Sequence, residues 1–366
     1  MVGQNMRGNM TFDFMEKQIK NRISRAIKER VFPGAVVGLV KKNNEKLVLP
    51  FGNYTYKDDS QKILKDSIFD VASITKSIPT SSLALKLIDE GKLKTDDKLI
   101  DFVPEFNNSD RENVLIKHLL TQTLDFDFHL SAHKDKSPEE ILNVIFTAEF
   151  KSKPGTKFLY TNATSILLGL VVERIFNESL DKLGEKYFFE PLKMEHTLFK
   201  PLKRFSKEEI IPTEIQEWRG GLAQGEIHDE SAYILGQKMA AGSAGLFSTA
   251  PDLLNFLEML LNHGSLNGQK YFSPEIIEQM RANQLSDIRE RAGLGWELNQ
   301  PRYMGKHCAE QTFGKTGFTG CVVICDISKE VGLAFLSNYT YPKRKQDAAL
   351  INSVRSDIAD IVFGNL

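Results

Sequence analysis

Apolar residues recur every four positions between Phe14 and Phe32, at Ile19, Ile23, Ile27 and Val31, with charges between them. That period predicts an amphipathic helix, and Pro33-Gly34 ends it. AVVGLVKK and LVLPFGNYTY are then apolar runs joined by the turn NNEK, which predicts a β-hairpin. SIFDVASITK leads into TSSLALKLIDEGKL, an apolar helix closed by Gly91. Proline is tolerated in a helix's first turn and disfavoured later, so Pro79 predicts a kink or a late helix start. From about residue 80 to 235 the pattern is mostly helical: KLIDFVPEF, ENVLIKHLLTQT, SPEEILNVIFTAEF, TSILLGLVVERIF and LDKLGEKYFFEPL. After Gly242, GLFSTAPDLLNFLEMLLNHG predicts another helix. GCVVICD, the turn ISKE and VGLAFLSNY predict a second hairpin, and DAALINSVRSDIADIVF a closing amphipathic helix.

Strands and helices thus stand at both ends, with a helical block between. Terminal strands without a helical crossover pair most simply as an antiparallel sheet. The terminal helices are placed to cover one face of it. This is an α/β arrangement of the α+β type, with no internal repeat or low-complexity linker. The expected organisation is a discontinuous sheet lobe, residues 10–76 and 240–366, and a mainly helical lobe, residues 77–239, with the site in the cleft between them.

Composition narrows the function classes. The chain of 366 residues has 47 basic and 48 acidic side chains, a formal net charge of -1. Nothing in that balance calls for nucleic acid or an acidic membrane as partner. Hydrophobic residues make up 41%, with 24 Phe, enough for a large core. The 3 cysteines, Cys308, Cys321 and Cys325, are too few and odd for a disulfide framework. Cys321 and Cys325 fall on one predicted strand, roughly 13 Å apart, beyond bridging range. No secretory-type apolar segment and no apolar run of membrane-spanning length occurs, so a cytoplasmic protein is expected.

The chemistry centres on DVASITK. In Ser73-Ile-Thr-Lys76 a helical i, i+3 spacing brings an amine to a hydroxyl. A serine needs such a base within hydrogen-bond reach, and lysine serves only if burial or nearby cations lower its pKa. The spacing alone is weak evidence, because Ser131-Ala-His-Lys134 and Ser179-Leu-Asp-Lys182 share it. Ser131 lies in a polar loop, and Ser179 opens a helix as an N-cap candidate. Ser73 differs in lying where an extended apolar piece meets a buried helix, although an N-cap role would also fit it. Two further motifs occur once each. In Tyr160-Thr-Asn162 a phenol can relay a proton and an amide can hold the lysine; a turn tyrosine and a capping Asn162 is the plainer reading. In Lys315-Thr316-Gly317 the glycine permits close backbone approach and the lysine can bind a carboxylate; a glycine-rich turn is the plainer reading. Together and in this order, they match a signature of serine acyl-transfer enzymes.

With these motifs the chain resembles the serine β-lactamase-related superfamily, which includes class C β-lactamases, penicillin-binding proteins and β-lactamase-like esterases. DVASITK, EGKLKTDDKL, IKHLLTQT, KPGTKFLYTN, GEIHDESA, AGLFSTAPDL and FGKTGFTG carry the resemblance, which covers nearly the whole chain. It implies the β-lactamase/transpeptidase-like fold. It also implies Ser73 as nucleophile, Lys76 and Tyr160 as general base and acid, and Asn162 holding the network. Lys315, Thr316 and Gly317 would meet substrate, and the N–H groups of Ser73 and Phe318 would form the oxyanion hole. Some relatives carry HTG where this chain has KTG. The stretch LDFDFHLSAHKD replaces a usual Ser-Gly, and Ser243 stands where relatives often have His. Both of these last departures are expected to reshape the cleft rim.

His228-Asp229-Glu230 lacks metal-ligand spacing and reads as a structural polar turn near the cleft. His118 and His307 lack motif context. No G-x-S-x-G, G-x-G-x-x-G or P-loop pattern occurs. The expectation is a serine hydrolase without cofactor or metal, acting on a small ester, amide or lactam. An ester or amide hydrolase ranks first, a β-lactamase or D-Ala-D-Ala-type carboxypeptidase second. A non-catalytic scaffold of the same fold is the alternative from another class. Oligomeric state is not legible in the sequence.

Overall fold

The structure, a computed structural model, describes residues 2–42, 44–106, 111–128 and 130–366. Asn43 in the first hairpin's turn, and the side chain of Ser131, lie outside the described residues.

A seven-stranded antiparallel sheet organises the chain. Its order is Ala292–Gly293, Trp296–Leu298, Phe313–Thr316, Val322–Asp326, Val331–Ser337, Gly34–Lys41 and Lys46–Gly52. Both predicted hairpins form, and the first and last join directly through Ala35↔Ser337 to Lys41↔Val331.

The central strands are buried on both faces, which explains their unbroken apolar runs. Alternate residues separate the faces. Ala35, Val37, Leu39, Leu333 and Phe335 pack against the terminal helices Val2–Lys28 and Ala349–Gly364, through Ile19, Ile23, Val354 and Ile358. Val36, Val40, Ala334 and Leu336 face the helix Ala250–Leu261 and share one buried cluster with the helical block. The first helix ends at Lys28, earlier than its apolar period suggests; Val31 and Phe32 are buried in the turn that follows.

A helix begins late after Pro79, as its ring predicts. Ala72–Lys76 is a 3₁₀ turn, Ser77–Ser81 is irregular with Ile78 outside helical geometry, and the α-helix starts at Ser82. Beside this turn a small antiparallel sheet forms from Phe69–Asp70, Leu246–Ser248 and Leu198–Phe199. It fixes the chain leading into Ser73. Among the described residues, no helix is long and apolar enough to cross a membrane.

Candidate active site

Ser73 is not a helix cap. The residue preceding its 3₁₀ turn is Val71, which makes no side-chain capping bond. In a 3₁₀ turn, residues i and i+3 eclipse, and this sets Lys76 directly over Ser73. Ala72, just before the serine, sits in the left-handed region at φ 48, a costly conformation for a side-chain residue. Buried Asp70 holds it there, its Oδ1 accepting the Ala72 N–H at 2.7 Å.

Lys76 is 2% exposed. Its Nζ lies 3.1 Å from Ser73 Oγ, 2.7 Å from Asn162 Oδ1 and 2.8 Å from the Ser243 carbonyl. The last two partners only accept. A neutral amine fits this arrangement, donating to both and accepting the Ser73 hydroxyl proton on its lone pair. Burial, aided by the charge of Lys315, lowers the Lys76 pKa to about 7, while Asp229 and Glu297 pull it the other way.

Asn162 opens the helix Asn162–Phe176, whose N-cap is Thr161, accepting from Ala163 N. The capping role read for Asn162 is therefore filled by its neighbour, and its amide is free to face Lys76. Its Nδ2 donates to Asp229 Oδ2 at 2.9 Å and to Ser231 Oγ at 3.2 Å, which aims Oδ1 at the amine. Asp229 itself caps Glu230–Leu235. Burial would raise its pKa, but the Ala232 N–H, the Lys76 charge and the Ser231 and Asn162 bonds hold it below the usual range.

Tyr160 is held from both sides by Gln122, whose carbonyl accepts the Leu159 N–H at 2.8 Å and whose Oε1 accepts the Thr161 N–H at 3.2 Å. Its ring lies between two amines, 5.0 Å from Lys76 Nζ and 4.5 Å from Lys315 Nζ. Tyr160 is 44% exposed at the cleft, yet partial loss of water around its phenol drives the pKa up, against an interaction with the Ser73 side chain that lowers it. The resting phenol is protonated, which suits a proton donor better than a base.

Lys315, on the strand Phe313–Thr316, is 3% exposed and ion-paired to Glu297 Oε1 at 2.7 Å. Glu297 also accepts from the Tyr303 hydroxyl at 3.1 Å and lies 3.3 Å from Arg302. Burial opposes its ionisation, yet Lys315 and these neighbours keep its pKa low.

A cleft of about 560 Å³ opens over Ser73 and is lined by Tyr160, Asn162, Asp229, Thr316, Gly317 and Phe318, among others. Lys315 is not among its lining residues; its ammonium lies behind Tyr160, against Glu297. Arg302 and Arg344 are cations that do line it. The close approach that Gly317 permits is to protein rather than to open cleft: a Cβ there would lie 2.3 Å from the Val71 carbonyl. Neither the Ser73 nor the Phe318 N–H has a hydrogen-bond acceptor among the described residues.

The eight residues singled out from the sequence therefore converge. Of the other two Ser-x-x-Lys serines, Ser179 precedes the helix Leu180–Gly184 without making a capping bond, and the side chain of Ser131 lies outside the described residues. Two readings need correction. Ser243 lies under Lys76, fully buried, and is floor rather than rim, because its carbonyl is needed by the amine. Within LDFDFHLSAHKD, Leu124 and Phe126 are core residues, and none of its described residues lines the cleft. Asp229, Glu297 and Arg302 were missed as members of the site. Only the adjacency of His228-Asp229-Glu230 to the cleft gave a signal; an isolated Glu on the three-residue strand Trp296–Leu298 gave none. Among the described residues, no three His, Cys, Asp or Glu side chains are grouped to hold a metal ion.

Comparison with known proteins identifies the family and the fold. The Beta-lactamase family model matches residues 19–356. The chain belongs to the Beta-lactamase family. It is a serine hydrolase by that membership. N-acetylmuramyl-L-alanine amidase of Bacillus subtilis (strain 168) is 28% identical over 90% of this chain and 82% of its own length. Two solved structures share the fold. EstCE1, a hydrolase with promiscuous acyltransferase activity, superposes with TM-score 0.75 at 18% identity, covering 96% of this chain and 98% of its own. D-alanine carboxypeptidase AmpC from Burkholderia cenocepacia gives 0.73 at 18% identity, covering 97% and 99%.

Proposed function

We propose that this member of the family cleaves a carboxylic ester or amide through an acyl-enzyme on Ser73. The observation that carries the reading is the hydrogen-bonding of Lys76. A buried amine with two acceptor-only partners and one hydroxyl is set up to remove the hydroxyl's proton. Ser73 Oγ attacks the carbonyl carbon as its proton passes to Lys76 Nζ. The developing oxyanion is met by the Ser73 and Phe318 N–H groups, donors of a kind typically worth about 3 kcal/mol each. Tyr160 protonates the departing alcohol or amine, and the proton on Lys76 restores the phenol. Water then attacks the acyl-enzyme by the same groups in reverse and releases the acid.

A second reading, a β-lactamase or D-Ala-D-Ala-type carboxypeptidase, draws support from Lys315-Thr316-Gly317 and from the amidase and carboxypeptidase names among the similar proteins. The burial of Lys315 against Glu297 counts against a direct substrate contact by that lysine and keeps this reading second.

Fluorophosphonate labelling, abolished in Ser73→Ala, is the expected outcome. Hydrolysis of 4-nitrophenyl acetate and butyrate is expected to exceed that of a chromogenic cephalosporin. High turnover of the cephalosporin with none of the esters would reverse the order. An intact protein that takes neither a fluorophosphonate nor a fluorescent penicillin would be a scaffold.

A further inference from the structure

A set of buried side chains outside the proton-transfer network ties together the two segments that carry the oxyanion donors. Asp70 is 1% exposed. Its Oδ1 accepts from Ala72 N, one residue before Ser73, and its Oδ2 accepts from His228 N at 2.8 Å. Its carbonyl accepts the Thr319 hydroxyl at 2.7 Å, one residue after Phe318. His228 is buried, with Nε2 2.9 Å from Glu214 Oε2. Its ring stacks on Phe318, centroids 5.7 Å apart and planes 26° apart. Arg344 covers the Phe318 ring at 5.7 Å, and is itself held by Glu214 at 2.7 Å and Glu230 at 2.8 Å.

Phe318 has little else to hold it, since 55% of its surface is exposed. Gly317 before it is anchored, its N–H donating to the Cys321 carbonyl and its carbonyl accepting from Arg355, both at 2.7 Å. The remaining freedom lies in Phe318 itself. We propose that Asp70, His228 and Arg344 form a bracket that fixes the Phe318 N–H relative to the Ser73 N–H, which makes His228 a positioning residue for the oxyanion. The inference rests on the acyl-enzyme reading above. Oxyanion donors act because they are already in place when charge develops, and a misplacement of about 1 Å can cost about 100-fold in rate. A flexible phenylalanine backbone at the cleft edge would forfeit that effect. The stack on His228 and the cap by Arg344 restrain the ring, and Asp70 ties the histidine to the nucleophile's own loop.

The test compares wild type with His228→Ala, Phe318→Ala and Phe318→Tyr, each titrated with a fluorophosphonate to count working sites. For 4-nitrophenyl acetate, kcat per titrated site should fall about tenfold or more in both alanine variants, with KM little changed. Phenylboronic acid, whose serine adduct places an oxygen where the oxyanion forms, should bind correspondingly more weakly. Phe318→Tyr keeps the stack and should recover most of the loss seen in Phe318→Ala. Unchanged kcat per titrated site and unchanged boronate affinity in both alanine variants would overturn the bracket, even if melting temperature or titratable fraction fell. Wild-type protein that takes no probe would overturn the Ser73 reading and the bracket together.

Discussion

At the residue scale, the pKa of Lys76 decides when the proposed chemistry can run. Its conjugate acid loses a proton near pH 7, and only the neutral amine accepts from Ser73. The rate constant kcat/KM for a neutral ester should therefore rise with pH, reach half its plateau near pH 7, and be flat above. A stopped pH series on 4-nitrophenyl acetate checks this. The same shift affects stability. The folded pKa is depressed relative to the unfolded value, so between about 7 and 10.5 the unfolded chain binds more protons than the native one. Stability from this group rises with pH through that window. Lys76→Met removes the titration, and its stability advantage over the parent should be largest near pH 6 and shrink toward pH 9, measured by urea unfolding at each pH. Ser73, Lys76, Tyr160 and Asn162 were legible because three-residue spacings and short motifs survive translation into geometry. Asp229 and Glu297 were not, because a carboxylate's partner lies 67 residues away for Asn162–Asp229 and 18 for Glu297–Lys315. No local pattern records such a pairing.

At the element scale, the hairpins and terminal helices followed directly from apolar runs and four-residue periods, since strands buried on both faces cannot carry polar interruptions. The irregular turn Ala72–Ser81 followed only in part. Pro79 announced the late helix start at Ser82, but not the 3₁₀ geometry that stacks Lys76 over Ser73. The sheet of Phe69–Asp70, Leu246–Ser248 and Leu198–Phe199 was missed, because strands of two or three residues are too short to show alternation. The end of the interior strand Phe313–Thr316 meets this region at Gly317. Gly317→Ala would drive a methyl into the Val71 carbonyl and should cost about 1–3 kcal/mol of stability. Because relief requires the strand end to move from Ser73, kcat should fall at least tenfold, more than the loss of folded protein explains. Urea unfolding and kcat per titrated site separate the two.

At the scale of the whole molecule, the first and last strands are neighbours, and the final helix does more than cover the sheet. Arg355, 3% exposed on that helix, donates to the carbonyls of Gly317 at 2.7 Å and Cys321 at 2.9 Å. Arg355→Met would take the guanidinium from those carbonyls and leave each with a single backbone N–H, from Gly320 and Gly317, a loss of about 1.5–3 kcal/mol for a charge-assisted bond, and should lower both the melting temperature and kcat, read by calorimetry and ester hydrolysis. Pairing Gly34–Lys41 with Val331–Ser337 closes a loop of nearly the full chain, a topology that folds slowly. A chain translated only as far as Tyr160 already holds Ser73, Lys76 and Tyr160, but neither the strand end that lines their cleft nor the guanidinium that steadies it. On the proposed mechanism such a chain should take no fluorophosphonate until that strand and that helix have been made.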